Sequence, residues 1–159
     1  MLHTAHFTPI APSDLSSSDA SLLDRAYEAA AVAYAPFSRF RVGAAARLAT
    51  GEVVLGSNQE NAAYPSGLCA ERVAAFAIGA QYPDVAIDCM AVVTLDGEKV
   101  AGAFSPCGGC RQVLVESESR QTSPLRMLFQ AGPGAPIHEV SSAASLLPFA
   151  FSPQNLGQS

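Results

Sequence analysis

The chain has 159 residues, 49% hydrophobic and 14% charged, with a formal net charge of -5 and only nine Lys and Arg. This composition suits one folded domain with a real core rather than a disordered chain. It excludes a nucleic-acid backbone as the main partner, because phosphate contacts need clustered positive charge and no run of like charges occurs.

The opening stretch MLHTAHFTPIAPSD has no basic start followed by a long apolar segment, so a signal peptide is not expected. Windows such as AAAVAYA and MAVVTL are too short to span a bilayer. The expectation is a cytoplasmic protein without membrane contact. There, four cysteines serve a core, a metal or redox chemistry rather than disulfides.

Residues 1–15 read as an irregular N-terminal arm. Residues 16–36 read as a helix: Ser18 or Ser21 can cap it, Asp19 suits its positive end, and Pro36 stops it by pushing Ala35 out of helical geometry. FRVGAAARLA and TGEVVLGSNQ, joined at a Thr-Gly turn, read as a strand hairpin. AERVAAFAIGAQY reads as a second helix and AIDCMAVVTLD as a buried strand, because its apolar run is nearly continuous. CGGCRQVLVESES reads as a third helix, LRMLFQA as a strand and VSSAASLLP as a short closing helix. Alternating strands and helices in the second half imply parallel crossovers, and the hairpin implies an antiparallel pair. The expected fold is α/β, a mixed sheet with helices on both faces. The expected organisation is the arm, one domain over residues 16–152, and a polar tail over 153–159.

Two stretches carry chemistry. In SPCGGC, Cys107 and Cys110 lie three apart, so on a first helical turn they share a face, and the helix's positive end favours their thiolates. A dithiol redox pair and half of a zinc site both fit that spacing. In GLCAERVAAF, Cys69 stands at the start of another helix. It would complete three protein ligands and leave a fourth position open, as in a catalytic zinc site. Cys89, inside an apolar strand, reads as a core residue. Glu71 lies two residues after Cys69, and helical residues two apart do not share a face. Both can address one site only if Cys69 sits at the cap. A carboxylate there has a use in hydrolysis, since zinc lowers the pKa of water and a carboxylate can move the proton.

CAER followed by PCGGC resembles the zinc-dependent cytidine deaminases. The similarity extends over residues 34–151 through YAPFSRFRVGAA, NQENAAY, GLCAERVA, SPCGGCRQVL and LLPFAF, in that order. The resemblance implies a three-layer α/β/α fold with a mixed five-stranded sheet. It implies one zinc per subunit, held by Cys69, Cys107 and Cys110, with Glu71 as proton shuttle. By the same resemblance Asn58 and Glu60 would bind the ribose hydroxyls, Phe40 would stack on the pyrimidine, and backbone around Ala70 and Ser105 would read the base edge. Arg72 would donate to the ligand thiolates, offsetting the negative charge that three of them leave around a divalent ion. Phe151, and similarly Tyr64, would reach a neighbouring subunit's site in a homotetramer, which fits the low charge content. Gln59 stands where Val is usual and Phe37 where Tyr is common; neither departure touches an implied catalytic role.

Glu60 places negative charge where a phosphate would sit, and no basic cluster accompanies these motifs, so a small-molecule nucleoside is favoured over a nucleotide. The Cys at the first ligand position points the same way. The expected reaction is conversion of cytidine and 2′-deoxycytidine to uridine and 2′-deoxyuridine. The rival readings are a deaminase of a modified cytosine nucleoside such as blasticidin S, and a non-catalytic zinc or redox protein. Glu71 argues against the last, because a structural zinc site takes four protein ligands and needs no free carboxylate.

Overall fold

The computed structural model describes residues 6–157. Within them a six-stranded sheet runs in the order β1-β6-β5-β4-β2-β3, where β1 is Thr8–Ile10, β2 Val42–Leu48, β3 Val53–Ser57, β4 Ile87–Thr94, β5 Arg126–Gln130 and β6 Ile137–Val140. β4 and β5 are parallel and the other pairs antiparallel. Helices α1 (Ser17–Ala31), α2 (Ala70–Gln81) and α3 (Gly108–Ser119) cover the two faces. Alternation along β4 divides the core. Cys89, Ala91 and Val93 face α1 with Leu22 and Ala26, whereas Met90 and Val92 face α2 and α3 with Ala74 and Leu114.

Close approach explains the small residues of β2. A Cβ on Gly43 would lie 2.0 Å from the Ala26 carbonyl oxygen, so α1 rests directly on that strand. The helix ends at Ala31, a turn before Pro36 could stop it. Tyr34 has already been recruited elsewhere: its N–H donates to the Asn58 carbonyl (3.0 Å) and its carbonyl accepts from Glu60 N–H (2.8 Å).

Several sequence expectations change. The sheet has six strands, not five. Residues 8–10 of the supposed irregular arm form edge strand β1, paired with β6 from Thr8↔Glu139 to Ile10↔Ile137. Phe7 anchors this segment on Phe129, with ring centroids 5.6 Å apart. β6 was not legible because only its end residues are buried. The α1 cap is Ser16, which accepts from Asp19 N–H at 3.1 Å, and not Ser18 or Ser21. The closing helix is only a 3-10 turn, Ala143–Leu146. Glu118 of α3 holds its entrance, accepting from Ser142 Oγ (2.6 Å) and from Ala144 N–H (3.3 Å). Pro153–Leu156, in the expected tail, forms a 3-10 turn closed by a Ser152–Asn155 capping box. Residues 1–5 of the arm and 158–159 of the tail lie outside the described residues. No helix among the described residues is long and apolar enough to cross a membrane.

Asp19 ties α1 to the sheet. Its buried carboxylate accepts from Arg47 of β2 (3.1 Å) and Arg126 of β5 (2.6 Å). Burial would raise its pKa, but the Arg126 bond, with Ser16 and Arg47, overrides this and leaves it below the ordinary value. A depressed carboxylate pKa contributes stability that is present above the unfolded-state value and lost as pH falls through the folded one. Asp19→Asn is therefore expected to lower unfolding free energy at pH 7 by about 2–3 kcal/mol, at the low end for a broken buried pair because both arginines keep some water. Urea titrations should show the gap from the parent chain closing below about pH 4. An equal gap at pH 7 and pH 3 would contradict this role.

Candidate active site

Two helix starts build the site. Cys69 is the cap of α2, with φ -73° and ψ 156°, and the helix begins at Ala70. The preceding Leu68 is extended and exchanges both backbone hydrogen bonds with Gln59 (2.9 Å each). Cys69 thus lies at the end of an extended segment and Glu71 on the first helical turn, the junction that their two-residue spacing demands. Cys107 caps α3 in the same way (φ -65°, ψ 166°), and Cys110 follows on its first turn. α3 is the crossover between parallel β4 and β5, so its N-terminus opens above the end of β4.

The two helix starts bring three sulfurs together. Cys69 Sγ is 3.8 Å from Cys107 Sγ, which is 3.5 Å from Cys110 Sγ, and the three lie within 4.8 Å of one another. Tetrahedral zinc with Zn–S bonds near 2.3 Å separates its sulfur ligands by about 3.8 Å, so the trio fits that ion. It is the one such cluster of Cys, His and carboxylate groups among the described residues. Arg72 fits the same assignment: its Nη2 is 3.8 Å from Cys69 Sγ, and its buried Nε has no partner within the protein. A guanidinium half-buried against thiols matches a site that gathers negative charge. Cys89 stands apart in the α1-facing core, where burial pushes its thiol up to about 12.

The electrostatics separate the roles of the groups. Hydrogen bonding to Cys110, aided by Arg72 and Cys107 and opposed by burial, lowers the Cys69 thiol to about 5. Cys110 is pushed the opposite way, by its bond to Cys69 and by burial. Burial raises the Glu71 carboxyl to about 7, and negative charge on Cys69 adds to the rise. A carboxyl held there can both accept and release a proton near neutrality.

Cys69, Glu71, Arg72 and Cys107 line a pocket of about 600 Å³. Of the expected substrate-contacting residues, Phe40, Asn58, Glu60, Tyr64 and Ser105 line it too. Two do not. Ala70 is fully buried under the pocket against β3, so only its peptide group could serve a ligand. Phe151 is 60% exposed, and its carbonyl accepts from Gln112 Nε2. It is outside the pocket lining of its own chain.

The departures Phe37 and Gln59 belong to the pocket after all. Phe37 packs edge-on against Tyr64 with ring centroids 5.7 Å apart, and both Phe37 and Gln59 contribute to the lining. Glu60 accepts from the N–H groups of Phe37 (2.8 Å) and Ser38 (3.2 Å). The Ser38 hydroxyl, more than these amides, lowers its pKa.

Sequence reasoning missed two supports. A Cβ on Gly56 of β3 would lie 2.3 Å from the Ala70 carbonyl oxygen and 2.6 Å from the Ala74 nitrogen, so only glycine lets α2 lie this close. Isolated glycine inside a strand pattern is the signal that could have found it. Arg111 reaches back over its own helix start, donating from Nε to the Pro106 carbonyl (2.8 Å) and from Nη2 to Ser105 Oγ (3.0 Å). It follows Cys110 directly, as Arg72 follows Glu71.

Residues 16–123 match the family model described as the cytidine and deoxycytidylate deaminase zinc-binding region. A protein named cytidine deaminase from Halalkalibacterium halodurans is 35% identical over 135 residues, covering 85% of this chain and 95% of that one. Among solved structures, a cytidine deaminase from Burkholderia pseudomallei superposes with a TM-score of 0.67 at 37% identity, covering 83% of this chain and 98% of that one. A cytidine deaminase from Mycobacterium tuberculosis gives 0.63 at 38% identity, covering 83% and 95%.

Metal analysis should separate the cysteines. Cys89→Ser is expected to keep zinc and Cys69→Ser to lose it; retention by both would remove Cys69 from the ligand set. Gly56→Ala should fold yet release zinc to a chelator at least about tenfold faster, because the added methyl pushes the first turn of α2, which carries Cys69 at its cap, off β3. Unchanged release from a folded variant would show that this contact does not set the ligand geometry.

Proposed function

The chain belongs to the cytidine and deoxycytidylate deaminase family, and from that premise we propose that it hydrolyses cytidine and 2′-deoxycytidine to uridine and 2′-deoxyuridine, releasing ammonia. The observation that carries this reading is the buried Glu71 carboxyl beside three converging thiols at the floor of one pocket.

Cys69, Cys107 and Cys110 would hold the ion. Zinc bound there would supply a Lewis acid that brings the pKa of water toward neutrality. Glu71 takes the proton of the attacking water and delivers it to the ring nitrogen beside the carbon that bears the amine. The new C–O bond forms at that carbon as its double bond to that ring nitrogen becomes single, and the bond to the amine then breaks as the oxygen closes to a carbonyl. Glu71 relays the second proton of that water to the departing amine, which leaves as ammonia. Arg72 balances the thiolate charge through Cys69. Phe40 offers an aromatic face to the pyrimidine, peptide groups at Ala70 and Ser105 read the base edge, and Asn58 and Glu60 serve the ribose.

A nucleoside fits the pocket better than a nucleotide. Arg72 is the one Lys or Arg in the lining, and its guanidinium addresses Cys69, whereas Glu60 would repel a phosphate. A modified cytosine nucleoside is not favoured, since the relatives over most of this chain are named cytidine deaminases. The reading takes residues 16–152 as one catalytic unit working in cytoplasmic nucleoside salvage. It also takes the active form as a homotetramer. The exposed rings of Phe76 and Phe151 support that, being apolar groups suited to a neighbouring subunit.

With zinc loaded, the ultraviolet absorbance of cytidine should fall as uridine forms; no turnover of either nucleoside would sink the reading. Glu71→Gln should retain zinc and fold while kcat drops on the order of a hundredfold or more. A zinc-loaded variant with near-parent kcat would take the proton shuttle away from Glu71. Light scattering should find a species four times the 16.4 kDa chain mass, and a monomer with full activity would overturn the shared-site arrangement.

A further inference from the structure

We propose that Asp96, a residue outside the pocket, is a positioning residue for Phe40, acting with Asn58 to fix the main chain on both sides of that ring. The inference rests on the reading that Phe40 stacks on the base.

Residues 39–42 form an arch whose side chains alternate. Phe40 and Val42 line the pocket, while Arg39 and Arg41 face a separate cleft shared with Asp96 and Lys99. The arch leads into β2, whose first residue is Val42, and its polar backbone groups are met by side chains from elsewhere. Arg41 N–H donates to Asp96 Oδ2 (2.8 Å), and the Arg41 guanidinium grips the same carboxylate through Nε and Nη2 (3.1 Å each). Thr94 Oγ1 donates to the Arg41 carbonyl (2.9 Å) and accepts from Asp96 N–H (3.0 Å), so the carboxylate is itself held in place. From the pocket side, Asn58 Nδ2 donates to the Phe40 carbonyl (2.9 Å) and Asn58 Oδ1 accepts from Val42 N–H (2.8 Å).

The arch needs this restraint. Arg39 has a left-handed backbone, φ 54°, which a residue with a side chain adopts only when its surroundings impose it. Lys99 Nζ donates to the Arg39 carbonyl and also lies 3.6 Å from Asp96, so one carboxylate organises both cations that face the cleft beside Arg39. Asp96 is buried and absent from the pocket lining, so it does not touch the substrate directly. What it controls is the alternation. While Arg41 is clamped to Asp96 on one side, the preceding side chain must point to the other, which turns the Phe40 ring into the pocket. Without the clamp, the αL strain at Arg39 can relax and the ring loses its fixed plane. An edge or tilted ring stacks poorly on a flat base.

The test is a double-mutant cycle on the zinc-loaded enzyme. Asp96→Ala should raise KM for cytidine roughly five- to tenfold, within the range of coupling through a shared element, while kcat stays within about twofold and zinc content is unchanged. Asp96→Asn, which keeps one acceptor for Arg41 N–H, should show the same shift to a smaller extent, and it serves if the alanine variant does not fold. In a Phe40→Ala background the Asp96 change should add nothing to KM. Asp19→Asn is the control for lost stability alone and should leave KM unchanged. An unchanged KM in both Asp96 variants overturns the proposal, as does an Asp96 effect that multiplies fully with that of Phe40→Ala. If Phe40→Ala itself leaves KM untouched, the stacking role falls and this positioning role falls with it. If Phe40→Ala raises KM while the Asp96 variants do not, only the positioning role is lost.

Discussion

The first turn of α2 lies against β3 so closely that Gly56 has no room for a Cβ, and the rest of the site depends on that contact. It sets where the Cys69 sulfur emerges, because Cys69 is the last extended residue before the turn. It also buries Glu71, whose raised pKa follows from that burial. α3 meets this fixed point from the other side: parallel pairing of β4 and β5 makes α3 a crossover, and its start carries Cys107 and Cys110 to the same place. Three thiols within 4.8 Å follow from two helix ends and a sheet, with no dedicated metal-binding loop.

A second constraint governs the pocket wall. Much of it is irregular backbone rather than helix or strand, and irregular backbone needs side chains to satisfy its polar groups. Asn58 and Glu60 do so for residues 37–42. These are the residues that the resemblance assigns to the ribose, so the groups expected to meet the sugar also shape the wall around it. The arrangement couples local order to binding, since a side chain held by two backbone partners presents its remaining capacity in a fixed direction.

The opposite face of the sheet serves stability. Asp19, Arg47 and Arg126 join α1 to β2 and β5, and Arg126 extends the network to Glu139 of β6. That explains why Asp19 stands in the first turn of α1 but does not behave as a simple dipole partner: it is turned inward to two cations. The cap passes to Ser16, which the sequence reading did not select. Likewise α1 stops before Pro36, and Tyr34 is taken into an isolated bridge with Gln59 in the segment that follows β3, a partner far along the chain.

What could be read from the residues alone were the features set by local chemistry: the spans of α2 and α3, strands β2 to β5, and the requirement that Cys69 sit at a helix junction if it and Glu71 serve one site. Helical periodicity, strand alternation and a two-residue spacing are all short-range, so they are visible in one dimension. The edge strand β1 and its inner neighbour β6 were not, because each is short, neither has a continuous buried face, and their pairing joins opposite ends of the chain. The reduction of the closing helix to a single turn depended on Glu118, and the inward wall position of Phe37 on Tyr64 and Glu60. The sequence by itself determined which groups could do the chemistry. Only the tertiary structure decided that three sulfurs from two helices converge, that α2 lies against Gly56 without room for a Cβ, and that Asp96 reaches the back of the Phe40 arch, because close approach and long-range pairing are properties of the packed chain.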